Sequence, residues 1–137
     1  MEVAKTAVDL TVLKGKNQFD AWKISTSCQD FWSFCQNVRV GFGLHKPYVR
    51  ELVENNDMIF LDDVGKVETD AGWIKDAFRE LVDGVYNYGE GKILCFTSNH
   101  SRVQLCELYG EPCVDRIDEM CYAITFDGAS LREKLIV

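Results

Sequence analysis

The chain has 137 residues, of which 47% are apolar and 27% charged, and its formal net charge is −7. These values favour one globular domain over residues 1–137 and exclude a disordered or fibrous chain. No apolar run reaches the roughly 18 residues needed to span a bilayer, and the N-terminus lacks the apolar core of a signal peptide. We therefore expect a cytoplasmic protein that does not contact a membrane.

The charge is unevenly distributed along the chain. Residues 1–56 carry seven Lys and Arg against six Asp and Glu, whereas residues 57–137 carry eight against sixteen. Phosphate contacts dominate the affinity of proteins for duplex DNA, so an acidic chain is poorly suited to bind it. Any contact with nucleic acid should therefore be local and should involve the first half of the chain.

The six cysteines form no C-x-x-C pair, and the chain has only two histidines. This pattern does not favour a zinc site. The cysteines are expected to be reduced thiols that pack as small hydrophobic side chains.

The sequence of the first half predicts three helices and one strand, followed by the start of a second strand. The predicted elements are a helix over Glu2–Leu13, a strand over Ala21–Ser25, a helix that Ser27 caps and that runs through Cys35, and a short helix over Tyr48–Asn55 that Pro47 opens. An apolar strand then begins at Met58.

The second half predicts strands that alternate with helices. A long amphipathic helix covers Asp70–Tyr88, and an apolar strand covers Lys92–Thr97. Two short helices follow, one capped by Ser101 and ending at Tyr109, the other over Val114–Met120, before a strand over Tyr122–Phe126. This order predicts an α/β domain with a parallel sheet in three layers.

Polar side chains follow successive strands of the predicted sheet. Asp62 and Asp63 come directly after the run Met58–Leu61, and Ser98-Asn99 follow the next strand. The carboxyl ends of parallel strands meet at one edge, where α/β proteins bind ligands. Carboxylates there are suited to a divalent ion beside a phosphate, although such a pair is often only a solvated strand end. Similarly, Asp115-Arg116 could be a simple charge pair on a helix.

Four segments in order carry a family resemblance: MIFLDDVGK, KILCFTSNHS, LYGEPCVDRIDEMC and ITFDGASLR. Together they resemble the AAA+ ATPase core of the P-loop NTPase-like fold, and within it the DnaC/IstB-type group of replicative helicase loaders and transposition helper ATPases. The resemblance covers residues 57–132, whereas residues 1–56 match only in the order of elements. It implies an ATPase that acts in DNA replication with ATP and Mg²⁺.

The resemblance implies a role for five residues. Asp62 of the Walker B segment would hold Mg²⁺, and Asp63 would polarise the attacking water. Asn99, at the sensor 1 position, would contact the γ-phosphate or that water. Arg116 would be an arginine finger that reaches the nucleotide of an adjacent subunit, and Arg132 would lie near the nucleotide or the interface.

The phosphate-binding loop of this family is missing from the sequence. No G-x-x-x-x-G-K-S/T segment occurs in the 137 residues. The resemblance places the missing first strand beside the strand of Lys92–Thr97, so we expect an AAA+ core that is incomplete at the N-terminus, with a gap there. The chain could be a fragment, one part of a split protein, or a degenerate member of the family. In each case the chain alone should hydrolyse ATP negligibly.

The expected partners follow from the same resemblance. They are a replicative helicase or sibling AAA+ subunits, in a homo-oligomer when the domain is complete. Single-stranded DNA is a further candidate, with Arg39 and Lys46 as phosphate contacts near a cluster of aromatic residues. In that cluster, Phe31, Trp32 and Phe34 are expected to pack in the core or an interface. The alternative functions are a non-catalytic module that binds a helicase or sibling subunits, and a transposition helper ATPase.

Overall fold

The structure, a computed structural model, describes residues 2–4, 24–40, 47–65, 72–88 and 91–128. Strands and helices alternate through these residues. In chain order they are β1 (Glu2–Ala4), β2 (Thr26–Asp30), α1 (Phe31–Val40), α2 (Tyr48–Asn55), β3 (Met58–Val64), α3 (Gly72–Tyr88), β4 (Ile93–Ser98), α4 (Arg102–Tyr109), α5 (Glu111–Met120) and β5 (Ala123–Thr125).

The parallel sheet predicted from the sequence is confirmed. Its strand order is β2-β3-β4, and both pairs of neighbouring strands are parallel. Ile59 and Leu61 of β3 are buried on the same face as Leu94 and Phe96 of β4, with which they pair. All five described helices contribute to the apolar cluster that includes these side chains. The described residues thus form a sheet and helices that share one core.

The first strand differs from its prediction. Glu2–Ala4 pairs antiparallel with Ala123–Thr125 and does not begin a helix, and β1 also lies beside β4. The physical reason is a pairing between residues more than a hundred positions apart, which local helical spacing does not reveal. The described residues of β1 and β4 do not pair, so the gap predicted next to β4 stays a prediction. Residues 5–13 of the predicted helix lie outside the described residues.

The boundary between β2 and α1 also lies later than predicted. Ile24 and Ser25 are not in a strand, and Ser27 lies within β2 instead of capping a helix. The residue before α1 is Asp30, whose Oδ1 accepts a hydrogen bond from the Ser33 backbone N–H at 2.8 Å. Asp30 is therefore the N-cap, since a side-chain acceptor there satisfies an amide of the first turn. Residues 21–23 lie outside the described part.

Helix α3 carries the centre of the core. The stripe that the sequence predicts on this helix consists of Trp73, Ala77, Leu81, Val82 and Val85. All are buried except Trp73, which is partly buried, and Phe78, which the prediction omitted, is buried too. The Phe78 ring meets the rings of Phe31 and Phe96 edge to face, with centroids 5.9 Å and 5.6 Å apart. Such pairs add to the burial of apolar area, so α3 joins α1 to the sheet through aromatic contacts.

The cysteines are all free thiols. Burial raises the pKa of Cys35 to about 12 and that of Cys113 to about 11. Thiols with such pKa values stay protonated and unreactive, which confirms that these two pack as small hydrophobic side chains. Cys28 on β2 is the exposed exception.

None of the described helices is both long enough and apolar enough to cross a bilayer.

Candidate functional site

The carboxyl end of β3 contains a β-bulge at the acid pair. Leu61 pairs with Phe96, and the next pair is Val64 with Ser98, so Asp62 and Asp63 together face Thr97 alone. The extra residue keeps Val64, 1% exposed, on the core face with Leu61. Regular alternation would instead place Asp63 on that face. The bulge therefore keeps the core apolar while Asp62 stays exposed and Asp63 half-buried.

The Thr97 hydroxyl is in direct contact with both acids. It donates a hydrogen bond to Asp62 Oδ1 at 2.5 Å and accepts one from the Asp63 backbone N–H at 2.9 Å. One side chain on β4 thus binds the side chain of one acid and the backbone of the next. Sequence reasoning included Thr97 in a strand without giving it a role.

The segment after the acid pair has an unusual backbone. Asp63 has a φ of 59°, in the left-handed region that residues other than glycine rarely adopt, and Gly65 has a φ of 90°. The Ser98 hydroxyl donates to the Val64 carbonyl at 2.7 Å, and His100 Nε2 lies 3.2 Å from the Gly65 carbonyl oxygen. Side chains from the end of β4 therefore hold this segment in place.

The predicted meeting of the two strand ends is present in the structure. Ser98 pairs with Val64, and Asn99 follows it directly as an exposed residue. The acid pair and Asn99 therefore lie at one edge of the sheet. The roles given to Asp62, Asp63 and Asn99 remain predictions.

A third carboxylate, which the sequence analysis did not select, lies at the same edge. Asp30 pairs with Asp62 across β2 and β3. However, both its carboxylate oxygens accept hydrogen bonds from Ser33, one from the backbone N–H and one from the hydroxyl. These hydrogen bonds lower the pKa of Asp30, and the bond from the backbone N–H has the largest effect. The signal in the sequence was an Asp with a Ser three residues later, which is typical of a helix N-terminus.

The donor set at this edge fits a magnesium ion that is held mostly by water and phosphate. Asp62 and Asp63 supply hard carboxylate oxygens, and Mg²⁺ in phosphate-transfer sites commonly uses one or two of these. Within the described ranges, no group of three or more Asp, Glu, His or Cys side chains is arranged to enclose a metal. Among the described residues, the two carboxylates could therefore hold a metal ion only together with ligands from elsewhere, such as water.

Arg116 lies between two helices in this chain. Its guanidinium forms an ion pair with Asp83 of α3 and lies 5.5 Å from the centroid of the Tyr86 ring. The Tyr86 hydroxyl in turn donates to Glu119 at 2.7 Å, which raises the pKa of Tyr86. In the single chain, the predicted arginine finger Arg116, which lies on α5, thus binds α3 of the same chain.

Asp115, the acid next to Arg116, does not pair with Arg116 as the sequence analysis considered. Asp115 pairs with Arg102 of α4 at 3.3 Å, and Arg102 also donates to Asp118 at 2.8 Å. Asp115 and Arg116 are therefore not a local charge pair. Arg102, which the sequence analysis did not select, joins α4 to α5.

The candidate contacts for nucleic acid are partly described. Arg39 is exposed at the end of α1, and its guanidinium lies 5.8 Å from the centroid of the Trp73 ring. Trp32, seven residues earlier on the same helix, is 49% exposed, whereas Phe31 and Phe34 are buried as expected. The prediction of packing is thus confirmed for the two phenylalanines only. Lys46 and Arg132 lie outside the described residues.

The parallel sheet, the helices packed on it and the acids at its carboxyl edge define an α/β fold of the kind in which ligands bind beyond the ends of the strands. Among solved structures, the chain is similar to the crystal structure of the DnaC helicase loader, with a TM-score of 0.55 and 18% sequence identity. The match covers 74% of this chain and 61% of that chain. The chain therefore has the DnaC-like fold that the sequence predicted. No family model and no curated protein matches the sequence.

Proposed function

We propose that this chain is the AAA+ domain of a helicase-loader-like ATPase that acts in DNA replication. The observation that supports this best is the bulge of β3, which brings Asp62 and Asp63 out of the core beside the end of β4, in a DnaC-like fold. Two carboxylates and an amide at such an edge suit the binding of Mg²⁺ and the orientation of water in phosphoryl transfer.

The proposed chemistry gives each residue one task. Bound Mg²⁺ would supply charge neutralisation at the β- and γ-phosphates, and Asp62 would hold it through water. Asp63 would orient and polarise the attacking water, and Asn99 would contact that water or the γ-phosphate. Arg116 would act on the nucleotide of a neighbouring subunit in a homo-oligomer, where such a finger is worth about 10³–10⁵ in rate. Arg132 is proposed near the nucleotide or the interface.

The 137 residues themselves contain no phosphate-binding loop, so the proposed ATPase needs that segment from elsewhere. We expect the purified chain to show no ATP turnover above background with Mg²⁺ present, because the acids cannot position a phosphate that nothing holds. Malachite-green detection of released phosphate measures this. Steady turnover that Asp63→Asn abolishes would contradict the expectation, and turnover that Asp63→Asn leaves unchanged would indicate a contaminant.

A second candidate is a non-catalytic module that binds a replicative helicase or sibling AAA+ subunits. The ion pair of Arg116 with Asp83 favours it, since the residue proposed for catalysis is bound within the chain. Nucleotide binding separates the two candidates. Heat on addition of ATP and Mg²⁺ in calorimetry would favour an ATPase domain, whereas a module should bind helicase equally well with and without nucleotide. A transposition helper ATPase would instead bind a transposase.

A further inference from the structure

We propose that Thr97 is the positioning residue of the acid pair, because its one hydroxyl fixes the bulge that carries Asp62 and Asp63. Its importance for catalysis rests on the proposed function, but the positioning itself does not require a nucleotide. The inference depends on three observations: the pairing of two β3 residues with one residue of β4, two hydrogen bonds at one oxygen, and a left-handed backbone at Asp63.

The direction of both hydrogen bonds is unambiguous. A backbone amide only donates and an ionised carboxylate only accepts. The single proton of the Thr97 hydroxyl therefore goes to Asp62 Oδ1, and a lone pair receives the Asp63 N–H. Because one atom makes both bonds, the Asp62 carboxylate and the Asp63 backbone keep a fixed spacing. An aliphatic residue such as valine at position 97 cannot make either bond.

The bulge needs such support because its backbone is unfavourable for aspartate. Asp63 has a φ of 59°, and a side chain other than glycine rarely stays there unless its surroundings hold it. Without the bulge, the alternation of β3 would turn Asp63 toward the buried face of Leu61 and Phe96. Thr97 thus favours the conformation in which Asp63 lies outside the core.

The same bond distinguishes the two oxygens of Asp62. Oδ1 accepts the hydrogen bond from Thr97, so Oδ2 would be the oxygen that holds Mg²⁺ or a water in its shell. Mg²⁺ keeps several waters in sites of this kind, so a single carboxylate oxygen suffices. Thr97 would therefore set both the orientation of Asp62 and the position of Asp63 at the proposed site.

Amide hydrogen exchange in the full chain, measured by NMR without nucleotide, tests the inference. In Thr97→Val, which keeps the β-branched shape but not the hydroxyl, we expect the Asp63 amide to exchange about tenfold faster, as expected for one lost hydrogen bond. Thr97→Ser should restore protection to within about threefold. Amides of α3, such as that of Leu81, report global stability in all three proteins.

A second variant covers the case in which Thr97→Val does not fold. Glycine adopts a positive φ readily, so adding Asp63→Gly to Thr97→Val should restore the folded spectrum. The inference is overturned if Thr97→Val leaves the Asp63 amide unchanged, if Thr97→Ser protects it no better than Thr97→Val, or if Asp63→Gly does not restore folding. These readouts use no nucleotide, so the result of any ATP-binding or ATPase measurement, which tests the proposed function, leaves them unaffected.

Discussion

Gly65 is the residue of the site at which a side chain would do most harm. Its φ is 90°, and a Cβ there would lie 2.3 Å from His100 Cδ2. We expect Gly65→Ala to lower the free energy of unfolding by about 1–3 kcal/mol, because strain and a steric clash act together. Urea denaturation measures the loss.

Gly72 provides the matched control for this substitution. None of the described residues compared lies within 4 Å of a Cβ at Gly72, and the residue is the first of α3. Gly72→Ala should therefore be neutral or stabilise by up to about 1 kcal/mol. Adding His100→Ala to Gly65→Ala should recover the part of the loss caused by the clash. Equal effects at both glycines would show that the close approach to His100 is unimportant.

Asp30 gives the molecule a pH-dependent helix cap. Asp30→Ala should lower the free energy of unfolding by about 1 kcal/mol near neutral pH, because an N-cap acceptor is lost. Hydrogen bonds from Ser33 lower the pKa of Asp30 below its ordinary value of 3.8. A carboxyl with a depressed pKa in the folded state stabilises above its unfolded pKa, and this contribution disappears as the pH falls through the folded pKa.

The difference between the unmodified chain and Asp30→Ala should therefore shrink as the pH falls below that ordinary value of 3.8. Asp30→Asn is the control, because asparagine caps helices and does not titrate. Its difference from Asp30→Ala should stay constant over the same range. Thermal or urea unfolding at a series of pH values measures both. A difference that grows on acidification would show that the cap is not the cause.

At the scale of elements, local signals predicted the helices well and the strands less well. Pro47 opens α2, Ser101 caps α4 through a reciprocal bond with Gln104, and Gly110 ends that helix with a φ of 89°. These signals act within one turn, so they are legible in the sequence. The pairing of β1 with β5 is not legible in the sequence, because the two strands lie far apart along the chain.

The candidate site could also be predicted only in part, because local signals in the sequence do not reveal how strands pair. The acid pair and Asn99 were selected correctly as residues of one sheet edge, because parallel strands end together. The bulge was not predicted, since it follows from keeping Val64 buried while two acids precede it, and that requires the register with β4. Thr97 and Asp30 acquire their contacts only through this register.

The contact between α3 and α5 determines whether the Arg116 side chain is bound within the chain or is available to another subunit. Its ion pair with Asp83 joins side chains that are 37% and 43% exposed, so solvent weakens it. A double-mutant cycle of Arg116→Ala and Asp83→Ala should give a coupling of about 0.2–1 kcal/mol that decreases with salt. Arg116→Ala combined with Asp76→Ala, on the same helix α3, should give none. A coupling of zero for Arg116 and Asp83 would show that Arg116 is already available to another subunit.

At the scale of the whole molecule, charge restricts where nucleic acid could bind. Residues 57–137 carry eight basic against sixteen acidic residues, so most of the chain repels phosphate. Arg39 and the exposed Trp32 lie on one side of α1, since residues seven apart share a helix face, and Trp73 lies beneath the Arg39 guanidinium. An arginine beside aromatic rings is typical of a surface on which unpaired bases stack.

We therefore expect weak binding to single-stranded DNA through this side of α1. Fluorescence anisotropy with a labelled oligothymidine should show that Arg39→Ala lowers the affinity and reduces the slope of log K against log salt by about 1, as expected for one lost phosphate contact. Trp32→Ala should cost about 1–3 kcal/mol of binding free energy without changing that slope, because stacking involves no counterion. Arg50→Ala is the control, since Arg50 is an exposed cation on α2 that pairs with Glu54. Binding that is insensitive to salt, or equally weakened by Arg39→Ala and Arg50→Ala, would place any DNA contact elsewhere.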